Sequence, residues 1–113
     1  LSEVELGNLT LVQLHALMFL SQNPNAQVSD VSRFFKTTLP TATVLIDKLV
    51  DGGYATRQKD EQDRRIVRLS LTEQGKDLLE KAMRQRQVKI ERLLFKLTAE
   101  DKRQLVRIMQ KLI

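Results

Sequence analysis

Apolar residues recur every three or four positions over most of this chain, and only between Ile66 and Leu71 does the period drop clearly to two. Leu11, Leu14, Leu17 and Met18 mark one face of a helix running from Leu11 to about Ser21, with Thr10 placed to cap it. Asn23-Pro24-Asn25 breaks that helix. A second helix follows from about Val28 to Phe35, starting near Gln27 or Ser29, with Val31, Phe34 and Phe35 on its apolar side. Lys36-Thr37-Thr38 then makes a tight polar turn. Pro40 suits the first turn of a third helix, where its missing N–H costs nothing. That helix continues to about Asp51 and stops at Gly52-Gly53. The pattern turns Val44 or Leu45, with Leu49 and Ile46, toward the core and leaves Thr41, Thr43, Asp47 and Lys48 outside.

Two short helices joined by a tight turn form a helix-turn-helix, a weak signal alone because many helical bundles contain such a pair. The continuation makes it specific. Tyr54 to Gln58 reads as a strand and residues 59 to 65 as a charged tip. Ile66 to Leu71 reads as a second strand, with Ile66, Arg68 and Ser70 alternating against Val67, Leu69 and Leu71. Thr72 caps a long helix from Glu73 to about Lys96. The fold class expected is mainly α with a small β-hairpin wing, that is, a winged helix-turn-helix followed by C-terminal helices. The long helix carries an intermittent apolar stripe through Leu78, Leu79, Ala82, Met83, Ile90, Leu93, Leu94 and Leu97. It spans roughly 30–36 Å at 1.5 Å per residue, more than so small a body can cover. Thr98-Ala99-Glu100-Asp101 resembles a capping box, and the last helix presents Leu105, Ile108, Met109 and Leu112. A helical hairpin with apolar stripes and no domain left to pack on predicts a homodimer, with Leu93, Leu97, Leu105, Ile108, Met109 and Leu112 at the interface. The alternative is a monomer whose C-terminal helices fold back on the first helix. Residues 10–75 are thus read as the winged helix-turn-helix unit, and residues 1–9 and 76–113 as dimerisation helices of the same compact domain.

Charge locates the partner. The 113-residue chain carries a formal +5, but residues 1–53 hold three Lys/Arg against five Asp/Glu, whereas residues 54–113 hold sixteen against nine. A polyanion would meet the second half first, beginning with the hairpin. Arg57, Lys59, Arg64, Arg65 and Arg68 lie on or beside a hairpin too thin to bury them, and long cations on such a projection suit a phosphate backbone or a narrow groove. The bland alternative pairs them with Asp60, Glu61 and Asp63 as surface ion pairs, each worth roughly 0–1 kcal/mol. There is no cysteine, which removes disulfides, thiolate metal sites and cysteine redox chemistry from this chain. The one histidine, His15, lies in an apolar helical run, and no nucleophile–base pair or clustered carboxylates point to an enzyme. No cofactor or metal is implied. No stretch reaches membrane-span length and the acidic N-terminus is unlike a secretory signal, so the cytoplasm is the default location.

The order Leu9-Thr10, helix-turn-helix, Leu49…Gly53…Arg57, Asp63-Arg64-Arg65, then Leu71-Thr72-Glu73-Gln74-Gly75 resembles the MarR family of bacterial and archaeal transcription regulators, from about residue 9 to the C-terminus. The resemblance implies a homodimeric winged-helix repressor, less often an activator, on a pseudo-palindromic double-stranded DNA operator. It implies that the helix at Pro40–Val50 enters the major groove. Arg65 becomes the wing arginine of the minor groove, and Asp63 the acid that holds it by a charge-assisted hydrogen bond. Candidate DNA-contacting residues are then Thr38, Pro40, Thr41, Thr43, Val44 and Lys48 on the helix, and Arg57, Arg64, Arg65 and Arg68 on the hairpin. Members often respond to small aromatic or anionic effectors bound between the DNA-binding and dimerisation regions; Leu14, His15, Met18 and Phe19 are either such a pocket or plain core, and core is favoured.

Two departures modify that expectation. Relatives commonly carry an arginine or another polar residue where this chain has Val44, and Lys48 is the only cation of a helix that also bears Asp47 and Asp51. Base readout would rest on Thr41 and Thr43, with modest specificity. The family also places a full helix ahead of the Leu-Thr pair, where only residues 1–9, without an initiator methionine, are present, so a truncated or shortened helix is expected there. A winged-helix module that has lost DNA binding and docks on a protein is the alternative function.

Overall fold

A computed structural model of the chain describes residues 9–113; the shortened N-terminal helix expected over residues 1–9 lies, apart from Leu9, outside the described residues. Its element order is α1 (Leu11–Gln22), α2 (Val28–Phe35), α3 (Leu39–Asp51), β1 (Ala55–Lys59), β2 (Val67–Leu71), α4 (Glu73–Phe95) and α5 (Ala99–Gln110).

Local chemistry sets most of these boundaries. Thr10 Oγ1 accepts the Gln13 N–H at 3.1 Å while Gln13 Oε1 accepts the Thr10 N–H at 2.9 Å, satisfying two orphan donors at the start of α1. At its end, Asn23 donates both its backbone N–H and its side-chain amide to the Phe19 carbonyl. Gln27, rather than Ser29, caps α2, and its N–H is donated to Asp30 Oδ2 at 2.8 Å. α3 starts at Thr38, whose Oγ1 accepts the Thr41 N–H, and Pro40 occupies its first turn. It ends with Gly53 in the left-handed region (φ 83°). The Tyr54 N–H reaches back to the Leu49 carbonyl at 2.9 Å and the Gly53 N–H to Val50 at 3.0 Å. That double bond pattern stops a helix and reverses the chain.

The reversal delivers β1 antiparallel to β2, with Ala55 opposite Leu71, Arg57 opposite Leu69 and Lys59 opposite Val67. The far edge of β2 is held by a single bridge, the Leu69 N–H donated to the Ala26 carbonyl at 2.8 Å, which ties the hairpin to the α1–α2 connection. Leu69 is fully buried with Leu14, Leu17, Val31, Ile46 and Leu49. Each such side chain contributes about 1.5–3 kcal/mol of transfer free energy. Thr72 Oγ1 then donates to the Gly53 carbonyl at 2.6 Å and accepts the Gly75 N–H at 3.0 Å, capping α4 against the end of α3.

Two core assignments change. Val44 is 54% exposed, and the inward positions of α3 are Ala42, Ile46 and Leu49, with Leu45 half-buried. Leu11 is also exposed, and α1 packs through Leu14, Ala16, Leu17 and Leu20. In both helices an alanine occupies an inward position that a pattern of large apolar residues overlooks.

The chain separates into two compact units, one ending at Lys81 and one spanning Ala82–Ile113, and α4 runs from the first into the second. In the second unit Thr98 Oγ1 accepts the Asp101 N–H and Asp101 Oδ2 accepts the Thr98 N–H, both at 3.0 Å, which starts α5 as the expected box with aspartate. Leu97 and Leu105 are half-buried, whereas Leu93, Ile108, Met109 and Leu112 are exposed. Among the described residues no helix is long and apolar enough to cross a membrane.

Candidate nucleic-acid interface

The outer side of α3 is built from positions that the core does not use. Thr41, Val44, Lys48 and Asp51, spaced by three and four residues, are all exposed, and Thr38 and Pro40 are exposed at the helix start. Thr38 Oγ1 donates to Thr41 Oγ1 at 2.9 Å. Thr43 is only half-exposed and donates its hydroxyl to the Leu39 carbonyl at 2.9 Å, which leaves its oxygen as an acceptor. Lys48 makes no ion pair among the described residues. Leu39, not singled out from the sequence, is an exposed apolar side chain in the first turn; the sequence marks it only by its place between the capping Thr38 and Pro40.

The hairpin tip is shaped by one carboxylate. Asp60 Oδ2 accepts the N–H of Gln62 at 3.0 Å and of Asp63 at 2.9 Å, while the Asp60 N–H is donated to the Ile66 carbonyl at 2.8 Å. The turn is thus closed by a short acid substituting for backbone partners. Asp63 in turn accepts Arg65 Nε and Nη2, both at 3.0 Å, and the Arg65 backbone N–H at 3.1 Å. This bidentate grip fixes the direction of a guanidinium whose side chain is 91% exposed. Arg64 and Lys59 are exposed beside it.

Arg57 and Arg68 depart from the expectation that the hairpin leaves its cations bare. Arg57 pairs with Asp47 of α3, its side chain 34% exposed. Arg68, on the opposite face of the hairpin, has Nε 3.5 Å from Asp60 Oδ1 and donates Nη1 to the Asn25 carbonyl at 3.3 Å, its side chain 33% exposed. The bridge to Ala26 supplies the physical reason, since it brings the α1–α2 connection within reach of Arg68.

The tip carboxylates carry a pH prediction. The Asp63 N–H, before smaller contributions from Gln62 and Arg68, holds Asp60 below the usual carboxylate range; the Arg65 guanidinium does the same for Asp63. Because the folded values are depressed, the stabilisation is complete above the ordinary aspartate pKa of about 3.9 and is lost as pH falls through the lowered values. NMR titration of the two carboxyls is expected to give midpoints under about 3.9 for both. Arg65→Ala should raise the Asp63 midpoint and leave that of Asp60 in place; an unmoved Asp63 midpoint would mean the grip does not persist in solution.

An exposed helix face with hydroxyls in its first turn, next to a projecting arginine braced by an acid, can meet a groove and the phosphates flanking it. Comparison with known proteins points the same way. The chain is 30% identical over 95 residues to the uncharacterised HTH-type transcriptional regulator YfiV of Bacillus subtilis, covering 84% of this chain and 59% of that protein. The chain therefore spans less than two thirds of that relative's length. It is 29% identical to the HTH-type transcriptional repressor MdtR of the same organism, covering 99% of this chain and 72% of that one. Among solved structures, Streptococcus pneumoniae FabT in complex with DNA superposes with a TM-score of 0.78 at 26% identity, over 93% of this chain and 73% of FabT. The MarR family model matches residues 9–67, just over half of the chain. With its wing, its helix-turn-helix and that match, this chain belongs to the MarR family.

Proposed function

We propose that the chain is a transcriptional regulator that binds double-stranded DNA with sequence preference, as a homodimer on a pseudo-palindromic site, and represses. The observation that carries this reading is the solvent-exposed Arg65 guanidinium, aimed by its pairing with Asp63 from a hairpin that follows the end of α3. In this reading α3 lies in the major groove. Thr41 and Thr43 meet base edges or thymine methyls there, Thr38, Pro40 and Val44 line the contact, and Lys48 reaches phosphate. Arg65 enters the minor groove with Arg64 beside it, while Arg68 braces the hairpin and Arg57 is held against α3 by Asp47 at the edge of the contact. Residues 10–75 bind DNA and residues 76–113 pair the copies, supported by the exposed Leu93, Ile108, Met109 and Leu112. FabT, a structural relative, is a DNA complex, and MdtR, a sequence relative, is a repressor. Relatives named as transcriptional regulators and repressors favour a non-enzymatic protein; the cytoplasm as its compartment and a small aromatic or anionic effector as a further partner belong to the same proposal.

A second reading, a winged-helix module docking on protein, draws on the sparse positive charge of α3, where Asp47 and Asp51 oppose Lys48. Gel-shift titrations at two salt concentrations separate the readings. The wild-type chain should retain duplex DNA at low salt. Arg65→Ala should lower affinity by roughly tenfold for every sequence and reduce the slope of log affinity against log salt by about one. Unchanged affinity would return the wing cations to ordinary surface pairs, and no retention by wild type would favour the protein-docking module.

A further inference from the structure

The Asp47–Arg57 pair is one of several contacts between the hairpin and the rest of its unit. The hairpin is also secured by the Leu69–Ala26 bridge, by Tyr54 on Leu49 and by Thr72 on Gly53. Arg57 shares its hairpin face with Ala55 and Leu69, both buried, so its stem lies on the inward side and its head emerges against α3. There Nη2 donates to Asp47 Oδ1. The Asp47 side chain remains 50% exposed, so the pair meets solvent on the side of α3 that carries Lys48 and Asp51. A half-exposed carboxylate on a helix face that would approach a polyanion is unfavourable by itself. Its presence calls for a role that uses the arginine.

We propose that Asp47 is a positioning residue that sets DNA specificity: it holds the Arg57 guanidinium against α3, offers its remaining N–H donors to a base edge, and withholds that cation from the phosphate backbone. This deepens the DNA-binding reading and rests on it. The matching edge is guanine, whose O6 and N7 accept two parallel N–H groups. The neutralised pair lowers sequence-independent binding, because Arg57 then releases no phosphate counterion on scrambled DNA. Specificity rises because a wrong site gains less, a form of discrimination by withheld contacts. It also supplies an arginine–base contact to an α3 whose Val44 cannot make one.

The test uses the full chain, a duplex it selects from a random pool, and a scrambled duplex of equal length. For wild type the affinity ratio between the two should be large and the salt slope on scrambled DNA shallow. Asp47→Asn, which keeps the side chain's shape, should lower the ratio about tenfold, or 1.4 kcal/mol, chiefly through tighter scrambled binding. Its salt slope on scrambled DNA should steepen by about 0.9, one extra phosphate contact. Asp47→Glu should restore most of the ratio, and in an Arg57→Gln background Asp47→Asn should change the ratio no further. A ratio within twofold of wild type for Asp47→Asn, or an effect of full size persisting without Arg57, overturns the proposal and leaves a plain surface ion pair. Should Asp47→Asn fold poorly, the Arg57→Gln and wild-type affinity ratios still decide: equal ratios in those two proteins overturn it. If wild type retains neither duplex, the DNA-binding reading itself fails and the pair's role falls with it.

Discussion

Gly75→Ala is expected to destabilise the protein by about 3 kcal/mol or more, the upper end of what an inserted methyl costs in a packed site. A Cβ on Gly75 would stand 2.1 Å from the Tyr54 carbonyl oxygen, 3.0 Å from its carbon and 3.3 Å from its Cα. All three are backbone atoms, so no side chain can swing aside. Tyr54 cannot retreat either. Its N–H is donated to Leu49 at 2.9 Å, its carbonyl accepts the Thr72 N–H at 3.1 Å, and the preceding Gly53 is already at φ 83°. Relief would require the first turn of α4 to lift from the end of α3, breaking the Thr72 contacts. Gly52→Ala is the control. Gly52 is right-handed, at φ −76°, and its Cβ would meet the Tyr54 ring edge at 2.8 Å, part of a side chain that can turn, with the nearest backbone atom, the Lys48 carbonyl oxygen, at 3.3 Å. Thermal melting should show a fall of roughly 6 °C or more for Gly75→Ala, taking 2–8 °C per kcal/mol, and a small change for Gly52→Ala. Equal melting of Gly75→Ala and wild type would refute the close approach.

This contact also marks how far the sequence could be read. The helix ends were legible because their determinants are local. Thr10, Thr98 and Gly52-Gly53 act within five residues of themselves, and their chemistry is the same in any fold. The second strand was legible from its alternation, and the Asp63–Arg65 grip was implied by a family motif spanning three residues. Ala42 escapes the pattern of large apolar residues and Val44 mimics a core position within it, because such patterns weigh size whereas a close helix contact selects for a small side chain. The pairing of Arg68 with Asp60 lay within the surface-pair alternative, but the seat of Arg57 on α3 and of Arg68 on the α1–α2 connection was beyond any local pattern. Their partners, Asp47 and Asn25, lie 10 and 43 positions away and are brought near only by the hairpin's docking on α3 and on the α1–α2 connection. The role of Gly75 was visible only as one letter of a motif; the reason for it is a backbone oxygen 21 residues earlier in the chain.

Ile108→Glu combined with Leu112→Glu is expected to convert a dimer into a monomer and to lower operator affinity by about a hundredfold or more. Ile108 is 52% and Leu112 82% exposed in the single chain, so the change costs that chain's own fold little. The loss falls on association. A two-fold interface uses each residue twice, so four apolar side chains leave it, at about 1.5–3 kcal/mol each. Four carboxylates would also have to be desolvated without partners, which closes the interface further. DNA affinity follows because a dimer binds its second half-site at the effective concentration set by the first, and a monomer meets each half-site independently. The solution mass should halve, helical content by circular dichroism should stay close to wild type, and affinity for an isolated half-site should change less than twofold. The last measurement separates lost pairing from lost DNA chemistry. A double variant that keeps the wild-type mass would show that these exposed residues of α5 and its end do not join two copies, and the homodimer would have to be sought elsewhere.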